Sequence, residues 1–219
     1  MKAFEVSSHL DTLLHSYPDA KLISEAAKKG GLISRTAIAR LWLSEGIPYA
    51  FKSKPALYEV LRTWLGERLE VDPKEIHLSG SARLGQSLAP RKIGIQFGTH
   101  SDLDLFIVSQ DLFERVKKDF EVWSFDFENS LVHPKNERER GFWDENIPHV
   151  KSTINRGFID SNKIPYRGKY SNNLKIAQSM SDLKIKLDIT PDAPKIKSAS
   201  VRCYKNWGSF VQQITLSLR

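Results

Sequence analysis

The apolar positions of this chain change period along its length, and the changes mark out its elements. His9 to Tyr17 (HLDTLLHSY) is a short amphipathic piece. Asp19 stands where a side chain can cap a helix, and the spacing beyond it predicts one through Lys29, broken at Gly30-Gly31. Ser34 is placed to cap a second helix, which carries Ala37, Ile38, Leu41 and Leu43 and stops at Gly46-Ile47-Pro48. Pro55 suits a first helical position, and Leu57, Val60, Leu61, Trp64, Leu65 and Leu69 follow at helical spacing. Val71-Asp72-Pro73 ends that helix, and Ile76 to Ser79 reads as a short strand. Leu103 to Val108 is almost wholly apolar, the pattern of a strand central in a sheet. Asp111 then caps a helix carrying Leu112, Phe113, Val116 and Phe120.

Periodicity fades from Glu121 to Tyr170. Aromatics (Trp123, Phe125, Phe127, Phe142, Trp143) mix there with the charged NERERGFWDEN, which reads as a solvated face or a mobile loop. Asn172 to Met180 predicts a helix. Leu183 to Ile189 then alternates strictly, with Leu183, Ile185, Leu187 and Ile189 on one face, and predicts a strand closed by the turn Thr190-Pro191-Asp192. Helical spacing through Leu174, Ala177, Met180, Leu183 and Leu187 competes with it. A strand near Ser200 to Tyr204 and a helix from Trp207 to Leu218 complete the pattern, an α+β chain with an N-terminal helical extension (1–53) before a main domain (54–219).

At 219 residues, 40% hydrophobic and 27% charged, the chain can bury a proper core. One cysteine, Cys203, excludes an internal disulfide framework and suits a reducing compartment. The start lacks the apolar core of a secretory signal, and no apolar run approaches the roughly 20 residues of a membrane span. A cytoplasmic, soluble protein without a membrane partner is the expectation. Net charge is +7, unevenly spread: residues 151–219 hold 13 basic and 4 acidic residues, whereas the other 150 hold 20 and 22. A basic C-terminal third points to a polyanionic partner such as nucleic acid or nucleotide phosphates, or to a lysine-rich solvated surface.

Candidate chemistry centres on His77 to Gln110. Asp102 and Asp104 precede and enter the apolar strand, and residues i and i+2 share a face. Two carboxylates so close repel unless a cation lies between them, and hard oxygens suit Mg²⁺ or Mn²⁺. Gly80-Ser81, directly after the earlier strand, lets the backbone close on a ligand, with N–H groups and the Ser81 hydroxyl turned to phosphates. Arg83 is placed to add a full positive charge. The six histidines show no zinc spacing, and no GxxxxGK[ST] loop occurs. His77 and His100 read as polar loop or strand-edge residues. Tyr204 and Trp207, beside Arg202 and Lys205, read as core packing at a helix start rather than a stacking platform for a base.

Leu78-Ser79-Gly80-Ser81, a loop, and Ser101-Asp102-Leu103-Asp104-Leu105 resemble the signature of the DNA polymerase beta-like nucleotidyltransferase superfamily. Lys186-Leu187-Asp188-Ile189-Thr190-Pro191 is similar to its third acidic element in the oligoadenylate-synthase and bacterial cyclic-oligonucleotide-synthase branch. The resemblance spans roughly Pro55 to Leu218, with its specific motifs confined to those three stretches, and the loop from Ala82 to Ser101 is longer than in minimal members.

The resemblance implies a small mixed β-sheet core with helices on one face. It implies an NTP whose phosphates lie on Gly80, Ser81, Arg83 and Ser101. Mg²⁺ or Mn²⁺ would lie on Asp102, Asp104 and Asp188, and an NMP group would pass to a hydroxyl of a nucleic acid such as RNA or tRNA, a nucleotide or a protein. Asp126, Glu128 and Asp160 are the other acids open to the third position. Two alternatives accompany it: a degenerate member that binds RNA or a partner protein through the basic third, and a toxin–antitoxin or antiviral-defence enzyme.

Overall fold

The computed structural model describes residues 6–219, so the first five residues of the expected extension lie outside it. Among the described residues it contains eight α-helices and one four-stranded mixed sheet. Helix α1 (Ala20–Lys29) is capped by Asp19, whose carboxylate accepts from the Lys21 N–H at 2.8 Å. Helix α2 (Gly31–Arg40) starts earlier than its expected cap, because Gly30 takes the N-cap position and Ser34 is buried inside the helix. Helix α3 (Pro55–Leu69), with Pro55 at its first turn, leads to strand β1 (Ile76–Leu78) and the single-turn helix α4 (Gly80–Leu84). The loop beyond α4 folds back on itself through a Gln86–Gln96 bridge. It requires glycine at Gly85, where φ is +87° and a Cβ would meet the Tyr49 ring at 2.7 Å.

Strand β2 (Leu103–Val108) and helix α5 (Gln110–Glu128) follow. Ser109 rather than Asp111 is the N-cap of α5, with Asp111 in its first turn. The unreadable stretch is mostly ordered secondary structure: α5 continues to Glu128, α6 runs Glu137–Asn155 and β3 runs Phe158–Asp160. The charged NERERGFWDEN is the start of α6, whose Asn136 cap accepts from Glu139 N–H at 2.9 Å. Trp143 from that segment packs edge-on to Trp123 and Phe127. Helical period is present there after all, with Val116, Phe120, Trp123 and Phe127 on α5 and Trp143, Ile147, Val150 and Ile154 on α6 turned to the core, but the exposed Phe125 and Phe142 and the charged residues around them obscure it in the sequence.

Helix α7 occupies Ser171–Ile189 and corrects the strand expected over Leu183 to Ile189. Leu183 and Leu187 are buried one turn apart, below Ile176 and Met180, whereas Ile185 and Ile189 are 56% and 75% exposed. The 3.6-residue stripe wins because α7 lies against α3, α5 and the sheet and can bury only one side. Strand β4 (Ala199–Tyr204) and helix α8 (Trp207–Ser217) complete the chain.

The sheet order is β1-β2-β4-β3, with β2 and β4 parallel and both outer pairs antiparallel. One face presents Leu103, Leu105, Ile107, Val201, Cys203 and Ile159 to a large core with α3, α5, α6 and α7. The opposite face is not bare, which corrects the expectation of helices on one face. Its Phe106, Val108, Phe158 and Tyr204 are buried under Phe210 of α8. The N-terminal helices share a third cluster with Leu84, Leu88, Ile214 and Leu218, so α8 links them to the sheet.

His77 of β1 stacks on Phe106 at 5.0 Å and meets Trp207 edge-on at 5.1 Å. Burial, reinforced by the Arg62 charge, lowers its pKa to about 4, although the carbonyls of Ser44 and Lys74 favour the charged ring; its Nε2 lies buried without a partner. The unfolded chain takes up this proton near pH 6.5 and the fold resists it until about pH 4. Stability therefore falls as pH drops through that window, by about 1.4 kcal/mol per unit and about 3 kcal/mol in all. Urea unfolding of the wild type and His77→Leu at pH 7 and pH 4.5 should show the larger loss in the wild type; equal losses would place the proton elsewhere.

Candidate functional site

The upper face of β2 changes character midway. Asp102 and Asp104 are exposed, whereas Phe106 and Val108 on the same face are buried under α8. Beside them Ser198, just before the parallel strand β4, and Ser200 on that strand precede Arg202 and Tyr204, with Asp104 in register with Ser200. Helix α8 covers only the second half of these strands. The polar first halves are left at an open edge, and this answers why carboxylates stand at the head of a core strand: only one of its faces is buried there.

Each carboxylate is oriented by a serine. Ser198 Oγ donates to Asp102 Oδ1 at 2.6 Å, and Ser200 Oγ donates to Asp104 Oδ1 at 2.8 Å. Neither aspartate has a cationic partner among the described residues. The end of β1 is tied to the same point, because Ser79 N–H donates to the Asp104 carbonyl at 2.8 Å. Gly80 follows with φ +60°, and a Cβ there would lie 3.5 Å from Asp104 Oδ2. The Gly-Ser turn and the Asp-x-Asp pair are thus adjacent in space. Ser81 is half-buried beside them, and Ser101 holds the approach to β2 by accepting from Gly98 N–H at 3.1 Å through its hydroxyl.

Arg83 is placed differently from its expected role on the phosphates. It is 4% exposed, donates to the Ile47 carbonyl at 3.0 Å and lies by the Tyr17 ring. The turn of α4 carries it under the N-terminal extension, where burial lowers its pKa. It fastens the extension to the site rather than presenting charge to a ligand.

Asp188 is likewise not in the sheet. It lies in the last turn of α7, half-exposed and ion-paired with Lys184 at 2.6 Å. The other acids left open are also neutralised: Asp126 by Lys169 at 2.7 Å, Glu128 by Lys151 at 2.7 Å, and Asp160 by a two-pronged contact from Arg202 at 2.6 and 3.0 Å. Of these, Asp160 comes nearest in setting, sharing with Asp104, Ser79, Ser200 and Arg202 a cavity of about 260 Å³ roofed by Phe210 and Ile214. Burial disfavours charge on Arg202, but the Asp160 carboxylate more than offsets it and holds the guanidinium pKa above its usual value. No group of three or more acidic, histidine or cysteine ligands occurs among the described residues.

The donor set therefore suits one hard cation: two exposed carboxylates, each with one oxygen held by a serine and the other open. It does not supply the three carboxylates of a two-ion site, because the position across from Asp104 is Ser200. The Ser198/Ser200 pair and the Arg202–Asp160 contact were not singled out in the sequence. Their only trace there is a Ser-x-Ser spacing that mirrors Asp-x-Asp.

Asp188→Asn should be silent in any assay of the site, and neutral or slightly stabilising, because a negative charge opposes the dipole at a helix C-terminus. Thermal unfolding of that variant tests it; a marked loss of stability would mean that Asp188 is tied into the fold by more than the Lys184 pair. The basic C-terminal third is also less available than its composition implies, since Lys151, Arg167, Lys169, Lys175, Lys184, Arg202 and Lys205 are all ion-paired. No helix among the described residues is long and apolar enough to cross a membrane. No family model, no curated protein and no solved structure matches this chain.

Proposed function

We propose that this protein is a metal-dependent nucleotidyltransferase that binds an NTP at Asp102, Asp104 and the Gly80-Ser81 turn and transfers an NMP group to a hydroxyl. The observation that carries this reading is the pair of exposed, cation-free carboxylates on one strand face with a glycine turn against them. Other acids considered for the site are neutralised by a lysine or arginine, so these two stand apart.

In this reading Asp102 and Asp104 hold the ion through their open oxygens, with Ser198 and Ser200 fixing both carboxylates. Gly80, lacking a side chain, admits the triphosphate to the backbone, and the Ser81 hydroxyl donates to it. A bound Mg²⁺ or Mn²⁺ supplies charge neutralisation of the phosphates and acidifies an acceptor hydroxyl. The acceptor oxygen would then bond to the α-phosphorus, its proton passing to solvent, as the bond from that phosphorus to the pyrophosphate oxygen breaks. The chain's own share is positioning, because the serine-held carboxylates need not reorganise.

Ser200 in place of a third carboxylate favours a second reading, a nucleotide-binding member without transfer. One experiment separates the two. The protein is incubated with each labelled NTP, with Mg²⁺, Mn²⁺ or EDTA, and with or without total tRNA. Metal-dependent release of pyrophosphate supports the transferase. NTP retained with metal but never turned over supports the second reading. No metal-dependent binding of any NTP would overturn both.

A further inference from the structure

A second cavity lies on the other flank of α8 and contains none of the residues of the aspartate site. It is a cleft of about 980 Å³ between α2, α3, β1 and α8. That volume lies at the upper end of the range of sites that enclose small organic ligands. Its lining brings together three cations, Arg40, Arg62 and Lys74, against one acid, Glu45.

The cations are not equivalent. Arg40 and Lys74 are exposed at the mouth. Arg62 is half-buried over the Tyr58 ring, at 4.7 Å, and pairs with Glu59 through one terminal nitrogen. Its Nε has no hydrogen-bond partner, nor has the buried Nε2 of His77 in the same wall. Both atoms are closed off from the surface, so they do not themselves meet a ligand in the cleft, and Arg62 contributes through the charge of its half-buried guanidinium.

The apolar side of the cleft is equally marked. Trp207 is 45% exposed at the start of α8, held edge-on by His77 and Phe210, and Leu32 opposite is 65% exposed. A large ring fixed by its neighbours yet open on one side offers a stacking surface with little ordering cost. Thr36, Gln212 and Thr215 add neutral hydrogen-bonding groups to the lining.

We propose that this cleft is a second ligand site, for an organic anion built like a mononucleotide, with a flat ring against Trp207 and a phosphate met by Arg40, Arg62 and Lys74. Arginine forks and a lysine point charge match phosphate oxygens, and an aromatic face takes a base without strong preference among bases. Recognition at this site needs no metal, because the charge is supplied by side chains. It therefore differs in kind from the aspartate site, and either can exist without the other.

The test uses the full chain in EDTA, which silences any metal-dependent site. AMP, GMP, CMP and UMP are titrated by calorimetry, with adenosine and inorganic phosphate as separate arms. At least one mononucleotide should bind, and adenosine and phosphate should each bind at least about tenfold more weakly. Arg40→Glu and Lys74→Glu alter exposed side chains and should leave the thermal midpoint unchanged while weakening mononucleotide binding by about tenfold or more. Trp207→Ala should weaken the mononucleotide without changing the response to phosphate. Asp104→Asn should leave all these affinities as in the wild type. Absence of mononucleotide binding by the wild type in EDTA, or equal binding in both charge-reversal variants, would overturn the proposal.

Discussion

Asp104→Asn should abolish metal-dependent NTP binding and reduce transfer by about 10³ or more, while the protein remains folded. Losing one preorganised charge contact commonly costs about 10²–10³ in rate, and this carboxylate would also hold the ion. The fold should tolerate the change because Asp104 is exposed and is paired only with the Ser200 hydroxyl, from which an asparagine oxygen can still accept. Relief of repulsion from Asp102 works in the same direction. The thermal midpoint should therefore stay within a few degrees of the wild type. Asp188→Asn serves as the contrast, removing a carboxylate from a helix end that is occupied with Lys184. Equal turnover in Asp104→Asn and wild type would remove the aspartate pair from the chemistry. Equal loss in both variants would mean that net charge, not position, is what matters.

Phe106→Ala should be among the most destabilising single changes in the chain, at about 3–5 kcal/mol. Phe106 is 2% exposed and lies at the centre of the aromatic cluster beneath α8. It stacks on Phe210 at 4.4 Å and on His77 at 5.0 Å, and meets Tyr204 and Trp207 edge-on. Truncation leaves a cavity that four rings cannot close together, and aromatic pairs add about 0.5–1.5 kcal/mol each beyond the area lost. Phe125→Ala, at a ring 60% exposed on α5, should cost under about 0.5 kcal/mol. Urea midpoints of the two variants give the comparison. A cost below about 1 kcal/mol for Phe106→Ala would show that α8 is not anchored through this ring.

The elements easiest to read were those whose local signals agree with their surroundings. Pro55 and the apolar stripe after it mark α3 from end to end, and Leu103 to Val108 is a strand over its full length. Asp19 and the last residue of α1 were legible because a cap and a glycine break are local chemistry. Leu183 to Ile189 misled because four apolar residues at period 2 satisfy a strand, while two of them at period 4 suffice for a helix. Which period counts depends on which side chains find a core, and Ile185 and Ile189 find none.

Sequence alone determined the adjacency of Asp102 and Asp104 on one strand face and the freedom of the backbone at Gly80, since both follow from covalent geometry. It also settled the α+β character, because periods of 2 and 3.6 alternate along the chain. Only the tertiary structure decided which charges remain free. Asp126, Glu128, Asp160 and Asp188 are as acidic on paper as the pair on β2, but each has a cation brought to it by packing or by its own helix. Arg83, next to the Gly-Ser turn in sequence, is drawn under the extension because a helical turn separates neighbours by direction as well as by distance. Ser198 and Ser200 lie 96 residues from the aspartates they hold, and no local pattern encodes a parallel register across that separation. Long-range pairing of that kind is set by the burial of the whole sheet face, which is a property of the folded chain.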